Sequence, residues 1–328
     1  MPRVGAVVIG RNEGERLKRC IVSLKDAVEL VVYVDSGSTD GSVEFANEQG
    51  AEVVELDMSR PFTAARARNA GLKRLRERRS DIDLVQFVDG DCEVIDGWLS
   101  RAAELLEKRA DAVIVCGRTQ ELNRSGTVYN RLCDMEFDHR AGDVDSCGGI
   151  FMGRAEPITK IGGFNETIIA GEEPELCLRL RNEDWKVVRI DDPMVWHDSA
   201  MTRFGQWWKR SVRSGHAYAE AMDRHGSGTE RFGVRNSVSI WFWAFGPLVM
   251  AAALLWPTHY WSLVILLAYP MQACRIALRR RTTHGNRLGD ALLYGVFLMI
   301  GKWAQVVGQC RYWLNRARHQ QGGLIEYK

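Results

Sequence analysis

Asp89 and Asp91, separated by Gly90 and preceded by the apolar run Leu84-Val85-Gln86-Phe87-Val88, place two carboxylates at what reads as the end of a strand. Hard oxygen ligands in that setting suit Mg2+ or Mn2+ bridging a diphosphate. An Asp-Gly-Asp taken alone is more often a turn; the strand before it is what favours a metal site. Two further polar clusters follow apolar runs in the same way: Arg11-Asn12-Glu13 after residues 4–9, and Asp35-Ser36-Gly37-Ser38-Thr39-Asp40-Gly41 after residues 30–34. Open α/β sheets bind ligands outside the carboxyl ends of their strands. Three strand ends therefore point at one ligand. Neither the Gly-x-x-x-x-Gly-Lys-Ser/Thr phosphate loop nor, in the first strand–helix turn, Gly-x-Gly-x-x-Gly is present, which weakens nucleoside-triphosphate and dinucleotide readings.

The elements that must position these groups alternate. Strands are predicted at 4–9, 30–34, 53–56, 84–88 and 113–116, and helices at 15–25, 42–49, 64–79 and 97–109, the pattern of an α/β domain with a largely parallel sheet. The helix at 64–79 carries Arg66, Arg68, Lys73, Arg74, Arg76, Arg78 and Arg79. Asp81 and Asp83 follow it within an acidic domain, so it is read as a solvated face and no nucleic-acid partner is expected. His197, after the strand-like Pro193-Met194-Val195-Trp196, is a candidate third metal ligand beside Asp89 and Asp91.

Charge divides the chain. Residues 1–200 hold 27 Lys+Arg and 37 Asp+Glu, net −10, whereas residues 201–328 hold 17 and 5, net +12. A basic module follows an acidic one. The apolar residues are concentrated late: from Asn236 to Cys274, 39 consecutive residues lack Asp, Glu, Lys and Arg. As helix that is about 58 Å, close to twice the thickness of a hydrocarbon core. Two crossings with a turn at Pro257-Thr258-His259 are expected, and Arg231, Arg235 and Arg279-Arg280-Arg281 place both ends on the cytoplasmic side, against an anionic membrane surface. The shorter apolar run 291–301 is read as an interfacial helix. Met1-Pro2-Arg3 leads straight into a strand with no signal-peptide pattern, so the catalytic domain is expected at the cytoplasmic membrane, facing the cytoplasm. The eight cysteines include no Cys-x-x-Cys pair and are read as reduced thiols.

Taken together, these residues resemble the family 2 glycosyltransferases, inverting nucleotide-sugar enzymes of GT-A fold of the kind found in bacterial surface-polysaccharide assembly. The blocks that carry the resemblance are Val8-Ile9-Gly10-Arg11-Asn12-Glu13, Val34-Asp35-Ser36-Gly37-Ser38-Thr39-Asp40-Gly41-Ser42, Ala67-Arg68-Asn69-Ala70-Gly71, Phe87-Val88-Asp89-Gly90-Asp91, Gly162-Gly163-Phe164-Asn165-Glu166, Gly171-Glu172-Glu173 with Leu178-Arg179-Leu180-Arg181, and Trp196-His197. Their order and spacing across about residues 3–215 are the family's. The resemblance implies that Glu13, Asp35 and Arg68, with Arg11 beside them, hold the base and ribose of the donor. It also implies that Asp89 and Asp91 bind ribose and a divalent metal, Mg2+ or Mn2+, and that a late acidic pair supplies the general base. That pair is usually Glu-Asp in the family; here it is Glu172-Glu173, with Glu173 the base and Glu172 its support, or the reverse. Arg210 and Arg213, in Trp207-Trp208-Lys209-Arg210-Ser211-Val212-Arg213, either close on the donor diphosphate or meet anionic lipid headgroups.

The expected organisation is a GT-A catalytic domain at 1–215, a basic juxtamembrane linker at 216–235, a transmembrane hairpin at 236–278 and a basic C-terminal segment with an interfacial helix at 279–328. The expected activity is transfer of a sugar from a nucleotide donor, with UDP-sugars foremost, to a lipid-linked or saccharide acceptor. Residues 126–147, including Tyr129, Glu136, Asp138 and His139, are read as shaping the acceptor side. A sugar nucleotidyltransferase and a catalytically silent membrane scaffold are the competing classes. The sequence does not fix the oligomeric state.

Overall fold

The computed structural model describes residues 2–138 and 140–319. They form two compact units, one of the described residues up to Arg124 with those between 136 and 200, the other of Ser125–Met135 with those from Met201 to His319. Met1, His139 and residues 320–328 lie outside the described residues.

Among the described residues of the first unit, nine strands form one sheet: β1 Val4–Gly10, β2 Val31–Asp35, β3 Glu52–Glu55, β4 Leu84–Asp89, β5 Cys92–Val94, β6 Ala112–Glu121, β7 Gly142–Asp143, β8 Phe151–Arg154 and β9 Lys186–His197. The strand order is β3-β2-β1-β4-β8-β6-β9-β5, with β7 also on β9. β1, β2, β3 and β4 run parallel, β6 and β9 are parallel to each other, and β8 joins the two groups antiparallel to β4 and β6. The sheet is mixed, with a parallel core, and helices pack on it. Its parallel strands read as apolar runs because both faces are covered; all five residues of β2 are buried.

α1 Glu15–Leu24, α2 Ser42–Glu48, α3 Ala64–Arg78 and α4 Trp98–Lys108 fall where the apolar periodicity predicts helices. α3 matters most for the site. Thr63 caps it, its side chain accepting from the Arg66 N–H. At Gly71 the helix lies so close to the sheet that a Cβ would collide with Val7. Most of the basic side chains of α3 are engaged inside the domain: Arg74 and Arg78 both pair with Glu52, and Arg66 donates to the carbonyls of Asp57, Arg60 and Pro61.

Three strands are not evident in the sequence, and a fourth, β9, is evident only in its strand-like end 193–196; at 12 residues it is the longest, and Asp191 and Asp192 lie within it. Its pairing with β6 shifts register around the Arg118↔Pro193 step, and this irregularity accommodates a proline inside a sheet. β5, β7 and β8 are only two to four residues long.

The second unit is helical: α8 Phe204–His225, α9 Val234–Ala253, a 3-10 turn Trp261–Leu267, α10 Ala268–His284 and α11 Leu288–Ala317. Three stretches, Val234–Ala253, Trp261–His284 and Leu288–Ala317, are long and apolar enough to cross a membrane. Residues 291–301, read from the sequence as a short interfacial helix, belong instead to the 30-residue α11. Lys302 does not interrupt it, because a single straight-chain lysine is compatible with helix. α8 and α11 touch through their backbones: a Cβ at Gly215 would collide with the Gln305 carbonyl, and one at Gly308 with that of Val212. Such small-residue contacts are how apolar helices associate where burial from water supplies no driving force. Trp241 Nε1 donates to Gln309 Oε1 at 2.8 Å, tying α9 to α11.

Candidate active site

Register brings the predicted strand ends together: Gly10 pairs with Asp35 and Ile9 with Asp89. The turn after β1 is locked to the turn after β2. The Asn12 N–H donates to Ser38 Oγ at 2.9 Å, the Thr39 N–H donates to Asn12 Oδ1 at 2.8 Å, and the Gly14 N–H donates to Asp40 Oδ2 at 2.8 Å. Asn12 itself is in the left-handed region, φ 53°, which Asn tolerates better than most residues. Asp35 is buried, with Oδ2 accepting from the N–H groups of Gly37 and Ser38 and Oδ1 from the Tyr33 hydroxyl, all at 2.8 Å. Arg11 is exposed, with its guanidinium 4.8 Å from the centre of the Phe62 ring. Glu13 pairs with Arg16 at 2.7 Å.

Arg68 is the centre of the site. Its Nη2 is 2.8 Å from Asp89 Oδ1 and its Nη1 is 2.6 Å from Glu172 Oε1, so one guanidinium from α3 joins the end of β4 to the start of α7 Glu172–Asn182. Burial alone would lower its pKa; Asp89 and then Glu172 outweigh burial and raise it. Its side chain is 3% exposed, against 39% for that of Asp89, which therefore keeps an accessible edge.

Asp91, His197 and Glu121 form a second chain of contacts. Cys92 of β5 and Glu121 of β6 both pair in register with His197, setting the imidazole between them. His197 Nε2 is 3.5 Å from Asp91 Oδ2 and Nδ1 is 2.9 Å from Glu121 Oε2. The Phe137 ring meets the imidazole edge to face at 5.2 Å. Burial alone would lower the His197 pKa; Asp91 and then Glu121 raise it to about 9. A carboxylate oxygen and an imidazole nitrogen this close are a donor set that Mn2+ accepts, and Mg2+ accepts less readily because it prefers oxygen alone. Cys92 Sγ lies in the same cluster but is not a ligand of that kind. Burial, then Asp91 and Asp89, push its thiol well above its ordinary value, and it donates to Asp91 Oδ1 at 3.4 Å.

The late acidic pair divides. Both oxygens of Glu173 accept: Oε1 from the Cys147 N–H at 2.7 Å and from the thiols of Cys147 and Cys177 at 2.9 and 3.0 Å, Oε2 from the Gly148 N–H at 3.0 Å. Those thiols are protonated donors, since burial pushes Cys177 up to about 12 and Cys147 well above its ordinary value. At rest Glu173 therefore anchors residues 147–148 to the first turn of α7, and Glu172 is the member in contact with Arg68.

Several contributors are not evident in the sequence. Glu121 stands alone after an apolar run. Asn69 exchanges hydrogen bonds with the Phe164 backbone at 2.8 Å in both directions, and Arg179 donates to the carbonyls of Ile161 and Gly163, so the Gly162-Gly163-Phe164 loop is clamped from two helices. For Asn69 and Arg179 the signal in the sequence is their place within Ala67-Arg68-Asn69-Ala70-Gly71 and Leu178-Arg179-Leu180-Arg181. Arg210 and Arg213 lie on α8 and Tyr129 and Glu136 on α5 Val128–Phe137; His139 lies outside the described residues. A cavity of about 770 Å³ opens at the opposite end of β4, lined by Arg76, Ser80, Asp83, Arg154 and Trp185 among others. Its Arg76 and Arg154 guanidiniums donate to backbone carbonyls.

Residues 6–153 match the sequence model of Glycosyl transferase family 2. Among curated relatives, a TPR repeat-containing protein of Synechococcus elongatus is 32% identical over 134 residues, which span 40% of this chain and 31% of that one. The glycosyltransferase AglE of Haloferax volcanii is 22% identical, covering 80% of this chain and 84% of AglE. The succinoglycan biosynthesis protein ExoA of Rhizobium meliloti is 26% identical, covering 58% of this chain and 61% of ExoA. In fold the chain is similar to the mannosyltransferase PcManGT of Pyrobaculum calidifontis, solved with GDP-Man and Mn2+, at TM-score 0.59 and 16% identity over 96% of this chain and 88% of that one.

The His197 pairing has a definite sign. With a pKa of about 9 in the fold against about 6.5 in an unfolded chain, its contribution is fully present below pH ~6.5 and fades as the pH rises through ~9. Thermal unfolding of the metal-free protein between pH 6.5 and 9.5 is expected to show wild type losing stability relative to His197→Gln as the pH rises. Arg68 is tested by Arg68→Met, which removes the buried guanidinium between Asp89 and Glu172 and is expected to cost about 3 kcal/mol in denaturant unfolding.

Proposed function

With a glycosyl transferase family 2 domain of GT-A fold at residues 6–153 as the premise, we propose that this chain moves a sugar from a nucleoside diphosphate donor to a hydroxyl of a membrane-carried acceptor, inverting the anomeric carbon. The observation that carries the reading is the convergence at one sheet edge of Asp89, Arg68 and Glu172 with Asp91 and His197. A divalent metal held by Asp91 and His197 would neutralise charge developing on the departing diphosphate. The accessible edge of Asp89 faces the donor ribose. Asp35, fixed by its own turn, and the flanking Arg11 and Glu13 frame the base. The Glu172–Glu173 pair supplies the group that takes the acceptor proton. Arg68 holds Glu172 in place, and Glu173 takes part when the 147–148 donors release it.

Three helices apolar enough to cross a membrane follow the catalytic domain in sequence, and this favours an acceptor carried by a lipid. The basic balance of residues 201–328, Arg210 and Arg213 included, favours an anionic membrane surface. By the positive-inside rule the catalytic domain faces the cytoplasm. The similarity to ExoA, a succinoglycan biosynthesis protein, supports a role in polysaccharide assembly.

Purified full-length protein, offered UDP-, GDP- and dTDP-sugars in turn with Mn2+ and a polyprenyl-linked saccharide, is expected to release a nucleoside diphosphate from one donor. Asp91→Asn is expected to cut that release by about 100-fold or more. Amides at both Glu172 and Glu173 are expected to cut turnover by about 10²–10⁴-fold with donor binding retained. Pyrophosphate as the product would instead identify a sugar nucleotidyltransferase, and absence of both turnover and Mn2+-dependent donor binding would identify a silent scaffold.

A further inference from the structure

We infer that Glu121 is a positioning residue: it fixes the ring orientation and tautomer of His197 so that Nε2, rather than Nδ1, is presented to a cation beside Asp91. The inference rests on the metal-dependent reading above and extends it to a side chain that touches neither the cation nor the substrate.

The geometry constrains the imidazole on every side. Glu121 ends β6 and pairs in register with His197, and the Leu122 N–H donates to the His197 carbonyl at 2.8 Å. The Glu121 side chain is fully buried. One oxygen, Oε2, is 2.9 Å from Nδ1; the other, Oε1, accepts from the Ser199 N–H at 3.2 Å and from the Ser199 hydroxyl at 2.9 Å. The carboxylate therefore cannot rotate away from the ring without abandoning Ser199. The edge of the Phe137 contact limits tilting.

The chemistry follows from the acceptor. A carboxylate cannot donate to Nδ1 when ionised, so Nδ1 must carry a proton. An imidazole binds a cation through a bare nitrogen, which leaves Nε2, the atom on the Asp91 side. A carboxylate behind a ligating imidazole also makes the ring a better donor, and loss of such a partner typically weakens metal binding 10–100-fold. Ser199 by itself would need only a neutral acceptor. An ionised carboxylate buried at this position is costly, and the imidazole 2.9 Å away gains from its charge.

The test uses the full-length protein and Mn2+ alone, with free Mn2+ read by electron paramagnetic resonance. Wild type is expected to bind, Glu121→Gln to bind about 10–100-fold more weakly, and Ser199→Ala, which leaves the Nδ1 contact in place, to bind within about threefold of wild type. A second readout needs no metal: the His197 Nδ1–H proton resonance, assigned by its loss in His197→Gln, is expected downfield in wild type and displaced upfield in Glu121→Gln. Glu121→Asp, which shortens the same carboxylate, is expected to behave likewise and serves if the amide variant does not fold. Wild type that binds Mn2+ no better than Glu121→Gln, with the proton resonance unmoved, overturns the positioning role while leaving the metal site standing. Wild type that binds no Mn2+ overturns both.

Discussion

Like charge gathered on one sheet edge is the constraint around which the catalytic unit is arranged. Asp35, Asp89, Asp91, Glu121, Glu172 and Glu173 all stand at strand ends or on the helix that follows, and two carboxylates about 6 Å apart at an effective dielectric near 20 repel by about 3 kcal/mol. Each is matched by a specific device. Arg68 sits between Asp89 and Glu172, and His197 between Asp91 and Glu121. Asp35 and Glu173 are stabilised by backbone N–H groups from their own or a neighbouring turn. The acidic character that suits the edge to a cation and a diphosphate leaving group is also what makes the fold need these partners.

The compensation links parts of the chain far apart in sequence. Arg68 reaches Glu172 across 104 positions, and His197 reaches Glu121 across 76. The first contact joins α3 and the end of β4 to α7, and the second holds the end of β6 to the end of β9. The clamp on the Gly162-Gly163-Phe164 loop by Asn69 and Arg179 has the same character. Several motif blocks thus act by holding one another, and fewer of their residues are free for a ligand than the motif reading alone implies.

The legible part of the molecule was the part where one local signal suffices. β1, β2 and β4 are apolar runs that end in acid-rich turns, and helices α1 to α4 carry regular apolar spacing, so the sheet edge and its aspartates could be placed from sequence. β9 was legible only over its end, 193–196; its first half was hidden because Asp191 and Asp192 before Pro193 imitate a loop, which the register shift against β6 accommodates within a strand. Glu121 carries no local signature, since its importance comes from lying opposite His197. The contacts of Glu173 are only half local: Cys177 lies four residues on along α7, whereas Cys147 reaches it through the tertiary fold. The apolar run 291–301 is short, flanked by Asp290 and Lys302 and followed by Arg311 and Arg316, but helix does not stop at charge, and α11 runs through all four.

The central claim is that the site beside Asp91 and His197 takes the cation. Anomalous diffraction at the manganese edge, on crystals of the full chain grown with a nucleoside diphosphate and Mn2+, tests it directly. The account predicts a peak bonded to an Asp91 carboxylate oxygen and to His197 Nε2, with the diphosphate on its open side. A fully occupied manganese elsewhere, or bound nucleotide with no manganese beside those two side chains, would contradict it.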